Sequence, residues 1–253
     1  MNTSKLLARL LSLLLATTLS LQSIAAQLPD LGDTASANLS PAMEKRIGEE
    51  ALSAFRFQDP TYIDDPEVEA YLDSLGARLT VSGKAGANDF SFFALKDPTI
   101  NAFAMPGGVI GVHSGLLVTS QSESELAAVI AHEMAHVEQR HIARSIAQQA
   151  NATPWLIAAV LIAILAARKT PEASQAVLVT GQAALIQNQL NYSRDFEREA
   201  DRIGLQILQA GGFDPQGMSS FFARMQKTNQ LSESDAPAYL RTHPLTEERI
   251  SDV

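Results

Sequence analysis

The sequence predicts an α+β fold, mostly helical, with one small β-sheet beside a central helix. Three observations carry that expectation. Apolar residues recur at helical spacing through most of the chain, as in Val68, Tyr71, Leu72, Leu75 and Leu79. Runs with strand character gather in one place: Phe90–Leu95, Ile100–Met105 and Val109–His113, broken by Pro106-Gly107-Gly108. Finally, 46% of residues are hydrophobic and only 19% charged, the balance of a packed globule and not of a disordered chain. A length of 253 residues leaves room for one good-sized domain, with at most a small appendage.

Taken in order, the chain opens with Lys5 and Arg9 before an apolar run, Leu10–Leu21. Ser23-Ile24-Ala25-Ala26 then offers small residues for cleavage, so 1–26 is expected to be a signal peptide; a retained anchor is the alternative. Residues 27–40, polar with Pro29 and Gly32, read as a linker, and 41–253 as one domain. Helices are expected from Pro41 to about Phe57 and from Pro66 to Thr80. Ser122 and Glu125 form a capping box that opens a long helix running to about Gln149. On its wheel His132, His136, Val129, Ala128 and Ala143 share one sector, while Leu126, Ile130, Met134 and Val137 make another. A helix apolar on two sides is central and buried. Pro154–Ala167 is almost wholly apolar but shorter than the roughly 20 residues a membrane span needs. It reads as a core helix or, more sharply, as an element that touches a membrane surface or a client protein. A further helix is expected over Glu172–Asn188.

The central helix carries His132-Glu133-Met134-Ala135-His136, an HExxH pattern. A spacing of four turns a helix by about 400°, so both imidazoles leave one face roughly one turn apart. They make two corners of a tetrahedral zinc site, and Glu133 beside them can act as general base on an activated water. A third protein ligand is needed, and acids cluster at Asp195, Glu197, Glu199 and Asp201. Phe196, Ala200, Ile203, Gly204, Ile207 and Leu208 define the inward stripe of that segment. Glu197 falls within it, Asp201 lies at its edge, and Asp195, Arg198 and Arg202 point away. A carboxylate facing a core needs a cation or strong donors, so Glu197 is the expected ligand. Asp201 is the expected acceptor for the free ring N–H of a liganding histidine.

HExxH followed by Glu197-Arg198-Glu199-Ala200-Asp201, with Asn101-Ala102-Phe103-Ala104-Met105-Pro106-Gly107-Gly108 upstream, resembles the HtpX/Ste24 family of zinc metallopeptidases. Without multiple membrane spans, the chain is most similar to the soluble periplasmic, BepA-like branch. The resemblance runs from about Pro41 to the end and implies a zincin-like metallopeptidase domain with one Zn2+ per chain. It also implies His132, His136 and Glu197 as ligands and Glu133 as base. That branch is associated with quality control of outer-membrane proteins, so misfolded or stalled envelope proteins are the implied substrates and the outer-membrane assembly machinery an implied partner. The branch also carries a tetratricopeptide array, and no repeat of that period is present here. The chain stops at Ile250-Ser251-Asp252-Val253, in what reads as the start of a helix, an ending that favours truncation of a longer protein.

The chain has no cysteine, which excludes a disulfide framework, a thiolate zinc cluster and a cysteine nucleophile. An exported chain without disulfides fits the bacterial periplasm. Removal of 1–26 takes off Lys5 and Arg9 and no acid, moving the formal charge from −9 to −11, which does not suit nucleic acid. An extended peptide is expected to add as a strand along Asn101, Ala102, Phe103 and Ala104, or along the neighbouring Val109–Val112. His243 either lies on the surface or reaches the zinc, filling its open position in a latent state or stabilising the oxyanion. His113 is expected to be structural, and His141 to face away from His132. Arg140 is expected to pair with Asp201 or another buried acid. Two other function classes compete with a peptidase: a chaperone-like binder with a closed or structural zinc site, and a membrane-tethered interaction protein using 154–167.

Overall fold

A computed structural model describes residues 39–82, 89–148, 194–231 and 237–253. The expected signal peptide, nearly all of the linker, and the helices expected at Pro154–Ala167 and Glu172–Asn188 lie outside the described residues. Helix α1 spans Pro41–Gln58, started by Ser40, whose hydroxyl accepts from Met43 N–H, and by Pro41 at the first turn. Its inward face is Glu44, Ile47, Gly48, Ala51 and Phe55. Helix α2, Pro66–Leu79, is capped the same way by Asp65 and buries Leu72, Leu75, Gly76 and Leu79.

Three strands follow: β1 (Ser91–Leu95), β2 (Ala102–Met105) and β3 (Val109–His113). Their order in the sheet is β1-β3-β2, with β1 parallel and β2 antiparallel to β3. Pro106–Gly108 forms a tight helical turn between β2 and β3, with Gly107 at φ 76°. A side chain there would meet the Glu44 carbonyl at 2.6 Å, so the turn docks onto α1 only as glycine. Because β3 is paired on both sides, Val109–Val112 has no free edge, and that alternative for strand addition is withdrawn; β2 remains an edge strand.

Strand alternation divides the core. Phe92, Ala94, Ile110 and Val112 face a large cluster with α2 and the central helix, while Phe93, Leu95, Met105 and Val109 face Ala51 and Phe55 of α1. The sheet is therefore covered on both faces, which is why β3 reads as a continuous buried run. After a short helix α3 (Ser114–Thr119), the central helix α4 runs Glu123–Glu138. Ser122 accepts from Glu125 N–H, but the Glu125 carboxylate turns away to Gln121 N–H and Arg224, so only half of the expected capping box forms.

The helix does not run on to Gln149. It breaks at Arg140, whose φ of 52° is left-handed, and α5 (His141–Gln148) follows as a separate helix. Such a residue costs on the order of 1–2 kcal/mol. Bonds from its guanidinium to Glu44 Oε2 (2.9 Å) and the Leu39 carbonyl (2.6 Å) offset this and tie the break to α1. Helices α6 (Arg194–Ala210) and α7 (Gln216–Leu231) pack on α4, and two short helices, α8 (Ala238–Thr242) and α9 (Glu247–Asp252), close the described fold. Among the described residues no helix is long and apolar enough to cross a membrane.

Candidate metal centre

Helix α4 is buried at every position from Glu125 to His136, so its histidines leave the backbone inside the core. Their Nε2 atoms approach to 3.0 Å. Helix α6 lies against the same helix because Gly204 has no side chain: a Cβ there would sit 3.1 Å from the backbone N and Cα of His132. That close approach delivers Glu197, whose Oε2 is 3.5 Å from His132 Nε2 and whose Oε1 is 3.5 Å from His136 Nε2. His243, directly after α8, is buried and not on the surface. Its Nδ1 lies 3.3 Å from His132 Nε2 and 3.2 Å from both Glu197 oxygens. The Tyr239 ring stacks over it at 4.7 Å.

This donor set suits a divalent cation. One ligand atom from each of His132, His136, Glu197 and His243 fits within 4.8 Å of the others. Zinc bonds of about 2.0–2.1 Å to nitrogen or oxygen give a tetrahedron with edges of roughly 3.3–3.4 Å, and the contacts above run from 3.0 to 3.5 Å. Charge points the same way. Glu133, Glu197, Asp201 and Arg249 are buried together, three acids against one guanidinium, and two positive charges balance them. Among the described residues neither Glu133 oxygen has a hydrogen-bond partner, although His243 Nε2 stands 3.4 Å from Oε1. Burial works against charge on His132, yet hydrogen bonds and charge from Asp201 and Glu197 outweigh it and lift its pKa to about 9. Burial and the neighbouring His132 push His136 well below its usual value. Burial alone would raise Glu197, but His243 and His132 hold it well below the usual carboxylate range. The pocket thus calls for positive charge at its centre, as protons or as a cation.

The outer ring nitrogens are held as well. His132 Nδ1 is 2.9 Å from Asp201 Oδ1, and Asp201 is buried where the helix wheel placed it at the edge of the inward stripe. His136 Nδ1 is 2.8 Å from Nδ1 of His141, whose Nε2 is 3.2 Å from Glu199 Oε2. Burial lowers the His141 pKa to about 4, so the ring is neutral. With His136 presenting the Nε2 lone pair inward, its Nδ1–H donates to His141, and His141 Nε2–H donates to Glu199. Phe196 stacks on the His141 ring at 4.5 Å, and Arg144 donates to Glu199 at 2.8 Å.

Other expected residues fall elsewhere. Of the partners expected for Arg140, Asp201 or another buried acid, it takes the second, Glu44; the guanidinium on Asp201 belongs to Arg249. His113 is buried with Thr99 Oγ1 at 2.9 Å from its Nδ1, a structural setting. Ala102–Ala104 lie on the edge strand beside α4, preceded by Asn101. A small cavity is lined by Ala104, Met105, Gly107, His136, Val137 and Arg140. Sequence reasoning missed Arg249 altogether and missed His141, which a wheel drawn for an unbroken helix turns away from the site.

Comparison with known proteins gives concordant matches. The model of peptidase family M48 matches residues 66–253. A Vibrio cholerae protein is 44% identical over 226 residues, 89% of this chain and 46% of its own length. The beta-barrel assembly-enhancing protease of Escherichia coli (strain K12) is 40% identical over 225 residues, with the same shares of each. The mitochondrial metalloendopeptidase OMA1 of Schizosaccharomyces pombe is 34% identical over 176 residues, 69% of this chain and 48% of that protein. The chain spans about half the length of these relatives.

Proposed function

The chain belongs to peptidase family M48, and from that premise we propose that it is a periplasmic, zinc-dependent endopeptidase acting on misfolded or stalled envelope proteins. The observation that carries this reading is the convergence of His132, His136, Glu197 and His243 beside a buried Glu133 whose oxygens have no hydrogen-bond partner among the described residues. Their spacing and charge fit zinc better than a softer or larger ion, since all donors are nitrogen or oxygen in a four-cornered set. When bound, zinc lowers the pKa of water and polarises a carbonyl.

The chain's own residues supply the remainder. Glu133 takes the proton from the attacking water and returns it to the leaving amine, a shuttle that suits a buried carboxylate beside the donor set. Asp201 and His141 fix the two ligand rings, so their lone pairs need no reorientation during the reaction. The edge of β2, at Ala102, Phe103 and Ala104, unpaired among the described residues, receives the substrate backbone as an added strand. The name of the Escherichia coli relative supports outer-membrane β-barrel proteins, or their assembly machinery, as the working context.

His243 favours a restrained form of this enzyme. With a metal bound, its Nδ1 would fill the fourth corner that a catalytic site leaves open. Moving His243 aside would admit water and the scissile carbonyl, and the same ring could then face the oxyanion. The experiment is zinc content and casein cleavage for the mature chain, a His243→Ala variant and a Glu133→Gln control. One zinc per chain is expected, with cleavage that rises in His243→Ala and vanishes in Glu133→Gln. One zinc and no cleavage in any variant would replace this reading with a binding protein whose closed four-donor site is structural.

A further inference from the structure

Arg249 lies on α9, 48 residues after Asp201 and outside every motif. It is nonetheless among the largest fully buried side chains of the fold. Its Nε donates to Asp201 Oδ2 at 2.6 Å and its Nη2 to Asp201 Oδ1 at 2.7 Å. Its Nη1 reaches Glu197 Oε2 at 2.9 Å and also donates to the Pro244 carbonyl at 2.9 Å. Phe222 covers the group, with its ring centre 5.0 Å away. One planar fork therefore grips two carboxylates a turn apart on α6 and the loop that carries His243. Lysine offers no such bridge, because an ammonium is a point donor.

The grip divides the two oxygens of Glu197. Both face the histidine nitrogens, Oε1 at 3.5 Å from His136 and 3.2 Å from His243, Oε2 at 3.5 Å from His132 and 3.2 Å from His243, but it is Oε2 that Arg249 holds at 2.9 Å. We propose that Arg249 is a positioning residue of the metal centre: it makes Glu197 ligate through Oε1 alone, and with the same guanidinium holds Asp201 on His132. A carboxylate free to turn would offer both oxygens and raise the coordination number, and the corner that hydrolysis needs would be filled. The bond to Pro244 places the His243 loop under the same control. This inference rests on the metal reading above and adds to it a coordination mode and the residue that enforces it.

Two measurements test it. X-ray absorption at the zinc edge of the unmodified chain needs no variant and is expected to show Glu197 bound through one oxygen. Cobalt(II) substituted into the unmodified chain and into Arg249→Lys, which keeps the charge, gives a visible spectrum that reads coordination number. The lysine variant is expected to lose about half or more of the four-coordinate absorption while still holding one cobalt per chain. A Glu197 bound through both oxygens in the unmodified chain would overturn the proposal, as would a lysine variant with the parent spectrum. If the lysine variant does not fold, the absorption measurement on the unmodified chain decides alone. A parent chain that takes up neither metal would overturn the metal reading itself, and this inference with it.

Discussion

Gly204→Ala is the perturbation that links packing to the metal centre. In a helix interior, replacing glycine by alanine stabilises by about 0.5–1 kcal/mol through chain entropy. Here the new methyl meets the backbone N and Cα of His132 at 3.1 Å and the Ala131 carbonyl carbon at 3.2 Å, so α4 and α6 must part by a few tenths of an ångström. Overpacking of this kind costs roughly 1–3 kcal/mol. The net is a loss of about 0–2.5 kcal/mol, or up to about 10 °C in Tm for a domain of this size. The larger effect is expected at the site. Glu197 and Asp201 ride on α6 while His132 and His136 ride on α4, so the same separation strains every contact between them. Thermal melts of the metal-depleted form, beside zinc affinity from competition with a chelator, separate the two consequences. Zinc affinity is expected to fall at least tenfold, with only a modest loss of Tm in the depleted protein. A variant that melts higher than the parent and binds zinc equally well would refute the claim that this glycine sets the distance between the ligand helices.

Three other outcomes are expected. Stripping zinc with a chelator should lower the melting temperature by on the order of 10 °C, since a ligand at a thousand times its Kd contributes about 4 kcal/mol; an unchanged melt would deny that the fold carries a metal. His141→Gln should weaken zinc binding by roughly 10–100-fold, because the His136 ring loses the neighbour that fixes its Nδ1–H; equal affinity would make the His136–His141 contact incidental. Methylating substrate backbone nitrogens one at a time should depress kcat/KM at alternate residues only, as an added strand bonds to the β2 edge through every second residue; a uniform or patternless loss would argue against strand addition.

What the sequence disclosed and what it withheld divide by range. The HExxH pair and the inward turn of Glu197 were legible because helical periodicity is set within one or two turns, and the buried stripe Phe196, Ala200, Gly204, Ile207 and Leu208 matches the wheel. The strands were legible as runs, but their order was not. Pairing of β1 with β3, passing over β2, is a non-local choice, and it alone decides which strand keeps a free edge. The break at Arg140 had no signal, since neither glycine nor proline marks it and the group that stabilises it, Glu44, lies 96 residues earlier. His243 stands 111 residues from His132, and nothing within its own loop distinguishes a surface histidine from a ligand.

Arg249 shows most clearly why the second half of the site was hidden. A lone arginine on a short terminal helix reads as a solvated charge, and burying an ionised group is costly unless partners surround it. Only the assembled fold supplies them. Glu197 and Asp201 hold the Arg249 guanidinium firmly charged despite its burial, and Arg249 together with His132 holds Asp201 below the usual carboxylate range. Breaking one member of such a buried network costs about 3–5 kcal/mol, far more than a surface pair contributes. The consequence is directional. Three buried acids and one arginine leave two charges unbalanced, so the described residues balance this core on their own only if its acids or rings take up two protons. The Nε2 atoms of His132 and His136 and the Glu197 carboxylate gather where that imbalance lies. The same charge deficit that makes the pocket unfavourable as an empty core is what a divalent cation there would offset.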